Sequence, residues 1–275
     1  MTKLNFGCGT RIASGWTNID FHCHDSRVQR VNLLRGFPFP TNHFDSVYSS
    51  HVLEHFTRDQ AAFLMGEAHR VLKPSGIVRI VVPDLEDTAR EYLRILDLPD
   101  DDPEKPRLYS WTKIELLDQL VRSTPGGDMG KFISSTISGG DRQMLAYIRS
   151  RIESAGWTPS QENGHRSSAQ RLAGVTPGKL SEKITLLYLA SVKKLIPRHI
   201  RSMIVSDTSI GERHRWMYDR YGMRLLMQEA GFLDISFRAF NKSRIAGFTE
   251  DHLDSNADGS SYKNASIYCE AQKTP

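Results

Sequence analysis

Cysteine is scarce in this chain of 275 residues: there are three, Cys8, Cys23 and Cys269, an odd number without regular spacing. A disulfide framework is thereby excluded as the source of stability, and reduced thiols are expected. Long apolar runs are missing as well. No stretch reaches the ~18 residues of a membrane span, and Met1-Thr2-Lys3 leads at once into the first apolar run, so neither a bilayer anchor nor a signal peptide is expected and the compartment read from the chain is the cytoplasm. Internal repeats are absent. The dinucleotide fingerprint is incomplete: Asp20 lies 11 residues past Gly9 with no third glycine in phase, where that fingerprint needs about 20. A full pyrophosphate-binding helix does not fit, so any crossover helix must be a stub, which argues against NAD and for a ligand without a diphosphate.

What remains is an ordinary globular composition, 39% hydrophobic and 25% charged, long enough for one large domain or two modest ones. The formal charge is unevenly spread. Lys105 to Arg215 holds 18 Lys and Arg against 9 Asp and Glu, a balance of +9 in a chain whose total is +4. A basic middle beside an acidic remainder suits an anionic acceptor or a solvated surface. Aromatic and basic residues are not clearly interleaved there, so nucleic acid is not the expected partner.

The organising stretch is Leu4-Asn5-Phe6-Gly7-Cys8-Gly9-Thr10 with Gly15-Trp16-Thr17-Asn18-Ile19-Asp20 behind it. A short apolar run, two glycines, a tight return and a second run closed by an aspartate describe a strand, a backbone cradle and a second strand. Glycine permits left-handed dihedrals and close approach of main chain to ligand, and the aspartate can accept from ribose hydroxyls. Cys8 inside the cradle reads as a small space-filling residue. His22, Cys23, His24 and Asp25 are adjacent and cannot all converge on one ion, so they read as a loop and no metal is assigned to them.

A third strand is expected over 28–34 and a fourth over 44–50, ending at His51-Val52-Leu53-Glu54-His55. Thr57 and Gln60 form a capping box for a helix whose apolar face holds Leu64, Ala68, Val71 and Leu72. Lys73-Pro74-Ser75-Gly76 stops it, and Ile77 to Val82 then reads as a buried parallel strand. Asp84 caps the next helix, with Leu85, Ala89, Tyr92, Leu93 and Leu96 on its apolar face. Alternating strands and helices predict an α/β fold with helices on both faces of a parallel sheet. The pattern breaks at Asp97. A helical insertion, 97–211, is expected to divide a discontinuous domain of 1–96 and 212–275, with helices near 107–123, 141–155 and 179–196 and glycine-rich turns at 126–130 and 138–140. Asp219 caps a further helix that Gly231 ends, and strands follow over 232–240 and 265–271.

With these residues in view, the chain resembles the class I S-adenosylmethionine-dependent methyltransferases, of the methyltransferase type 11-like kind, and most closely a bacterial group encoded among polysaccharide genes. The resemblance rests on Leu4 to Gly9, Gly15 to Asp20, Phe44 to His55, Arg70 to Gly76 and Arg215 to Asp219. It implies a Rossmann-like, doubly wound sheet of seven strands, with the last strand antiparallel and slotted between the fifth and sixth; it does not account for the insertion, which the chain's own pattern marks as a helical cap expected on the acceptor side. It also implies S-adenosylmethionine as cofactor, with Phe6, Gly7, Cys8 and Gly9 around its methionine part, Asp20 on the ribose, Asn32 and Leu33 near the adenine, and Ser50 beside the ligand. Asn32 stands where the family usually has aspartate.

The activity expected is O-methylation of a sugar hydroxyl in a glycan or glycan precursor, with a small-molecule, anionic or lipid-linked acceptor. The rivals are a nucleic-acid methyltransferase and a catalytically silent cofactor-binding partner protein. Methyl transfer to a hydroxyl needs alignment and a base, for which His55, His51 and His214 are the candidates. Trp216, Tyr218 and Asp84 are the candidate acceptor contacts. Quinone-biosynthesis O-methyltransferases carry two glutamates and a histidine where His51, Glu54 and His55 stand. With imidazole replacing one carboxylate, the preference moves from magnesium towards a softer ion or the site is lost, and the expectation is a reaction without metal.

Overall fold

The computed structural model describes residues 1–22, 25–152, 188, 191, 195 and 213–274. Seven strands form one sheet: β1 (Lys3–Phe6), β2 (Thr17–Asp20), β3 (Val28–Arg30), β4 (Phe44–Ser50), β5 (Leu72–Pro83), β6 (Phe232–Arg238) and β7 (Ser266–Lys273). Their order is β3-β2-β1-β4-β5-β7-β6. β1 to β5 run parallel, and β7 is antiparallel to both β5 and β6, which is the arrangement the resemblance implied.

Local chemistry explains most of the boundaries. In β5 the side chains of Val78, Ile80, Val81 and Val82 are all fully buried, as expected of a central strand covered on both faces. Helix α1 (Arg58–Val71) starts in the anticipated capping box and buries Ala61, Leu64, Met65 and Ala68 against the sheet. Asp84 accepts from the N–H groups of Glu86 and Asp87 to start α2 (Leu85–Leu96). No helix joins β1 to β2, so the first crossover is a turn, shorter than the helical stub the spacing left room for.

Two local expectations are corrected. The third strand ends at Arg30, because the Asn32 side chain accepts from the Leu34 N–H and caps a single 3₁₀ turn, Leu33–Arg35; a short polar side chain bonding its own backbone outcompetes the ladder. The glycines of 126–130 lie in the turn between helices only at Gly126. They open α4 (Gly127–Ser138): Gly126 and Gly127 take positive φ, while the Asp118 carboxylate, from α3 (Lys105–Val121), accepts the Asp128 N–H at 2.7 Å. With α5 (Arg142–Arg151), these helices enclose a small core of Trp111, Ile133, Met144 and Ile148. The chain continues after the insertion with α6 (Arg220–Glu229), capped by Asp219 and followed by Gly231 at φ 87°.

Residues 1–156 and 209–275 form one compact unit and 157–208 a second. The helix expected over 179–196 lies, but for three residues, outside the described residues, as do Cys23 and His24. No helix among the described residues is long and apolar enough to cross a membrane.

One feature of the sheet was not legible in advance. Arg79, inside the apolar run of β5, is fully buried and donates to Asp254 at 2.7 Å and to Glu270 at 2.8 Å. It also reaches the carbonyls of Lys242 and Phe240 at 2.9 and 3.1 Å. The connection between β6 and β7 is thus fastened onto the sheet by a buried guanidinium, and Tyr48 joins the network by donating to Asp254 at 2.5 Å.

Candidate functional site

In this strand order β1 and β4 are neighbours whose following connections leave in opposite directions, and ligands of open α/β sheets bind in the crevice beyond the strand ends at such a point. Gly7 and Gly9 occupy that place at φ 66° and 51°. A Cβ on Gly7 would lie 2.3 Å from Val52, whereas one on Gly9 would meet nothing within 4 Å. Gly7 is therefore needed for packing and for its dihedral, and Gly9 leaves bare backbone facing open space. The Gly7 N–H is tied to Ile19 O at 2.8 Å. Asp20, at the end of β2, holds the loop with both oxygens, accepting from the Gly9 N–H and the His22 N–H at 2.8 Å each. Each oxygen keeps a second lone pair for a ligand hydroxyl.

Around this loop lies a cleft of about 190 Å³. Gly7, Cys8, Gly9, Ser50 and His51 line it, so five of the expected site residues come together from the ends of β1 and β4. Phe6 does not: it is buried against Phe37 with ring centroids 5.1 Å apart. Leu33 is buried in the same core, while Asn32 is exposed and occupied as a helix cap. The structure adds Arg11, Tyr262 and Lys263 to the cleft. The Arg11 guanidinium stacks 4.0 Å over the Tyr262 ring and donates to the His252 carbonyl at 2.9 Å, so the β6–β7 connection covers the glycine loop. Cationic residues in the polar stretch 243–263 were the available signal; their destination was not.

Beyond β4 the chain turns sharply at His51, whose φ of 54° is left-handed, and a 3₁₀ turn, Leu53–His55, follows. That turn points Glu54 inward, where it is fully buried with neither carboxylate oxygen accepting a hydrogen bond. His51 Nδ1 lies 3.3 Å from Glu54 Oε1 and its Nε2 3.0 Å from Ser266 Oγ. His55 Nδ1 faces the Arg213 carbonyl at 3.1 Å and its Nε2 lies 4.0 Å from Glu54 Oε1. His214 packs edge-on against His55, centroids 5.0 Å apart. The return segment is zipped to the turn, since Glu54 O accepts from the Arg215 N–H at 2.6 Å and the Trp216 N–H at 3.3 Å.

The three candidate histidines thus meet around Glu54, and one of them, His51, lines the cleft. Burial governs their charge. It pushes Glu54 up to about 8, His51 well below the usual imidazole range, His55 below it as well, and His214 down to about 3, the last helped by His55. Burial thus favours the uncharged form of all three rings. Tyr218 is buried with its hydroxyl unbonded, and its ionisation is pushed up by burial and then by Glu54. Trp216 is 43% exposed, with the Arg58 guanidinium 5.1 Å over its ring. Asp84 is buried, spending one oxygen on the α2 cap and the other 3.1 Å from Arg220.

Residues 4–80 match the family model of a methyltransferase domain. No curated protein matches the chain. Among solved structures, a 4+2 cyclase, SpnF, is similar at 24% identity over 30% of this chain and 38% of its own, with a TM-score of 0.25. An S-adenosylmethionine-dependent methyltransferase from Thermotoga maritima is 12% identical over 99% of this chain and 82% of its own, TM-score 0.41. One from Methanosarcina mazei is 12% identical over 99% and 92%, TM-score 0.41. The chain spans less than half the length of the first of these and most of the other two.

Proposed function

We propose, proceeding from the methyltransferase domain matched over residues 4–80, that this chain is an S-adenosylmethionine-dependent methyltransferase of the cytoplasm, acting on a sugar hydroxyl of a glycan or glycan precursor. The observation that carries the reading is the cleft at the β1/β4 crevice, where the positive-φ glycine loop, held by Asp20 through the Gly9 N–H, meets the end of β4. The residues fit the cofactor: Gly9 leaves bare backbone to an open space, and Asp20 keeps acceptor capacity for two ribose hydroxyls while fixing the loop. Gly7, Cys8, Gly9, Asp20 and Ser50 would hold it, and when bound it supplies a methyl group already activated on a sulfonium.

The work left to the protein is alignment and proton removal. His51 is the candidate base, because it alone of the three histidines lines the cleft, and the Ser266 hydroxyl fixes its ring. Its role is to take the proton of the acceptor hydroxyl as the new bond to carbon forms. Trp216 supports the sugar reading: an exposed indole beside the turn carrying Glu54 presents an aromatic face to an acceptor ring. Lys263 of the covering segment and Arg11 of the loop after β1 also line the cleft and suit an acceptor with a negative group.

Calorimetric titration with S-adenosylmethionine and with its demethylated product tests the cofactor. Micromolar binding that Asp20→Ala weakens at least tenfold, the variant remaining folded by circular dichroism, is the expected result. Absence of binding to either ligand would overturn the assignment, and binding without turnover on any nucleotide sugar or lipid-linked glycan would move the weight to a silent partner protein.

A further inference from the structure

Glu54 presents an unsolved electrostatic problem. Its carboxyl group is fully buried, and among the described residues neither oxygen accepts a hydrogen bond and the basic side chains within ion-pair range are imidazoles. A carboxylate left so in a dry site costs several kcal/mol unless it takes up a proton, as its raised pKa allows, or a cation joins it. Beside it, the His55 tautomer is fixed by geometry: a carbonyl only accepts, so Nδ1, 3.1 Å from Arg213 O, carries the hydrogen and Nε2 turns its lone pair towards Glu54. Histidines that ligate metals are held in this way, with the other nitrogen bonded to a carbonyl or carboxylate. His214 closes the third side, buried, with its main-chain N–H anchored on Gln119 O at 2.9 Å. One ligand atom each from Glu54, His55 and His214 lies within 4.8 Å of the other two. Two nitrogens and an oxygen converge, and no donor is shared among them.

We propose that Glu54, His55 and His214 bind a divalent transition cation of the zinc class, which clamps the turn after β4 to the segment returning from the insertion. Bonds of ~2.0–2.1 Å set tetrahedral ligand atoms roughly 3.3 Å apart, so the 4.0 Å between Glu54 and His55 closes by a modest side-chain rotation. Two imidazoles with one carboxylate favour zinc over magnesium or calcium, which prefer oxygen throughout. The set is not the local run His51, Glu54, His55. His51 is not part of the set: its Nε2 is bonded to Ser266, and its Nδ1 faces Glu54 Oε1 at 3.3 Å, so the candidate base touches the cation site through the Glu54 carboxylate without being a ligand. One tetrahedral position remains for water. The site goes beyond the methyltransferase reading and does not depend on the identity of the acceptor.

The test uses the full chain, stripped with a chelator and titrated with Zn²⁺, Co²⁺ and Mg²⁺ against a competing indicator. One equivalent of Zn²⁺ per chain, a thermal midpoint raised by several degrees, the visible absorption of four-coordinate Co²⁺ and no response to Mg²⁺ are expected. Glu54→Gln and His214→Asn should each weaken Zn²⁺ binding tenfold or more, while His51→Asn retains it. If either ligand variant fails to fold, X-ray absorption of the zinc-loaded wild type decides, with two imidazoles and oxygen in the first shell expected. No stoichiometric zinc in wild type, binding indifferent to Glu54→Gln and His214→Asn, or a shell without imidazole would overturn the proposal. Titrating stripped and loaded protein separately with S-adenosylmethionine keeps the two readings apart: zinc bound without cofactor binding would sink the methyltransferase assignment alone.

Discussion

Replacing Arg79 with methionine removes the positive centre that fastens the β6–β7 connection to the sheet. The arginine is fully buried and donates to two carboxylates and to main-chain carbonyls of that connection. The two acids would not suffer equally. Glu270 keeps Arg238 at 3.1 Å and a hydrogen bond from the Arg244 N–H at 2.9 Å, whereas Asp254, already raised in pKa by burial, keeps only the Tyr48 hydroxyl. Breaking a buried pair by removing one partner costs about 3–5 kcal/mol, because the other charge is stranded, so Arg79→Met should lower unfolding stability by about that amount, read as a reduced urea midpoint at unchanged slope. The stranded group is Asp254; Asp254→Asn in the Arg79→Met background should therefore recover about half of the loss, whereas Glu270→Gln should recover little. Leu253, Tyr262 and Lys263 come from the same connection and line the cleft, so cofactor affinity should fall in parallel. A loss below about 1 kcal/mol, or equal rescue by the two second-site changes, would refute this account of the network.

Other consequences are independent of it. Gly7→Ala places a Cβ 2.3 Å from Val52 at a φ of 66° and should cost roughly 2–4 kcal/mol from left-handed strain and overpacking; adding Val52→Ala should return the packing part only, as denaturant titration would show. Glu91, 16% exposed, is bonded by Arg94 and then by the Tyr147 hydroxyl, and its pKa falls from 4.5 to about 2. Because the folded value is the depressed one, this stability is present above pH 4.5 and lost as pH falls towards 2. After discounting for the exposed Arg94, Glu91→Gln should cost about 1–2 kcal/mol at pH 7, a difference that shrinks below pH 4.5 in parallel urea titrations. His51→Asn should leave cofactor binding within a few-fold and reduce turnover by about 10²–10⁴; unchanged turnover on an identified acceptor would remove it as the base.

The sequence alone determined what short-range chemistry governs. The interval from Gly9 to Asp20 excluded a full-length crossover helix, the run ending at Val82 announced a buried strand, and Thr57, Asp84 and Asp219 marked helix starts that the structure realises. Each depends on neighbours within a turn or a pleat, where periodicity and capping are readable. It was less reliable where local options compete, as at Asn32, which caps a turn instead of extending β3, and at the glycines that open α4. Tertiary structure decided the rest. Arg79 meets Asp254 and Glu270 across 175 and 191 residues, and His55 meets the return segment across 158. No pattern within a strand or helix encodes such contacts. They arise because the sheet order brings β7 beside β5 and the return segment against the turn after β4, and once there, buried polar groups must find partners or remain costly.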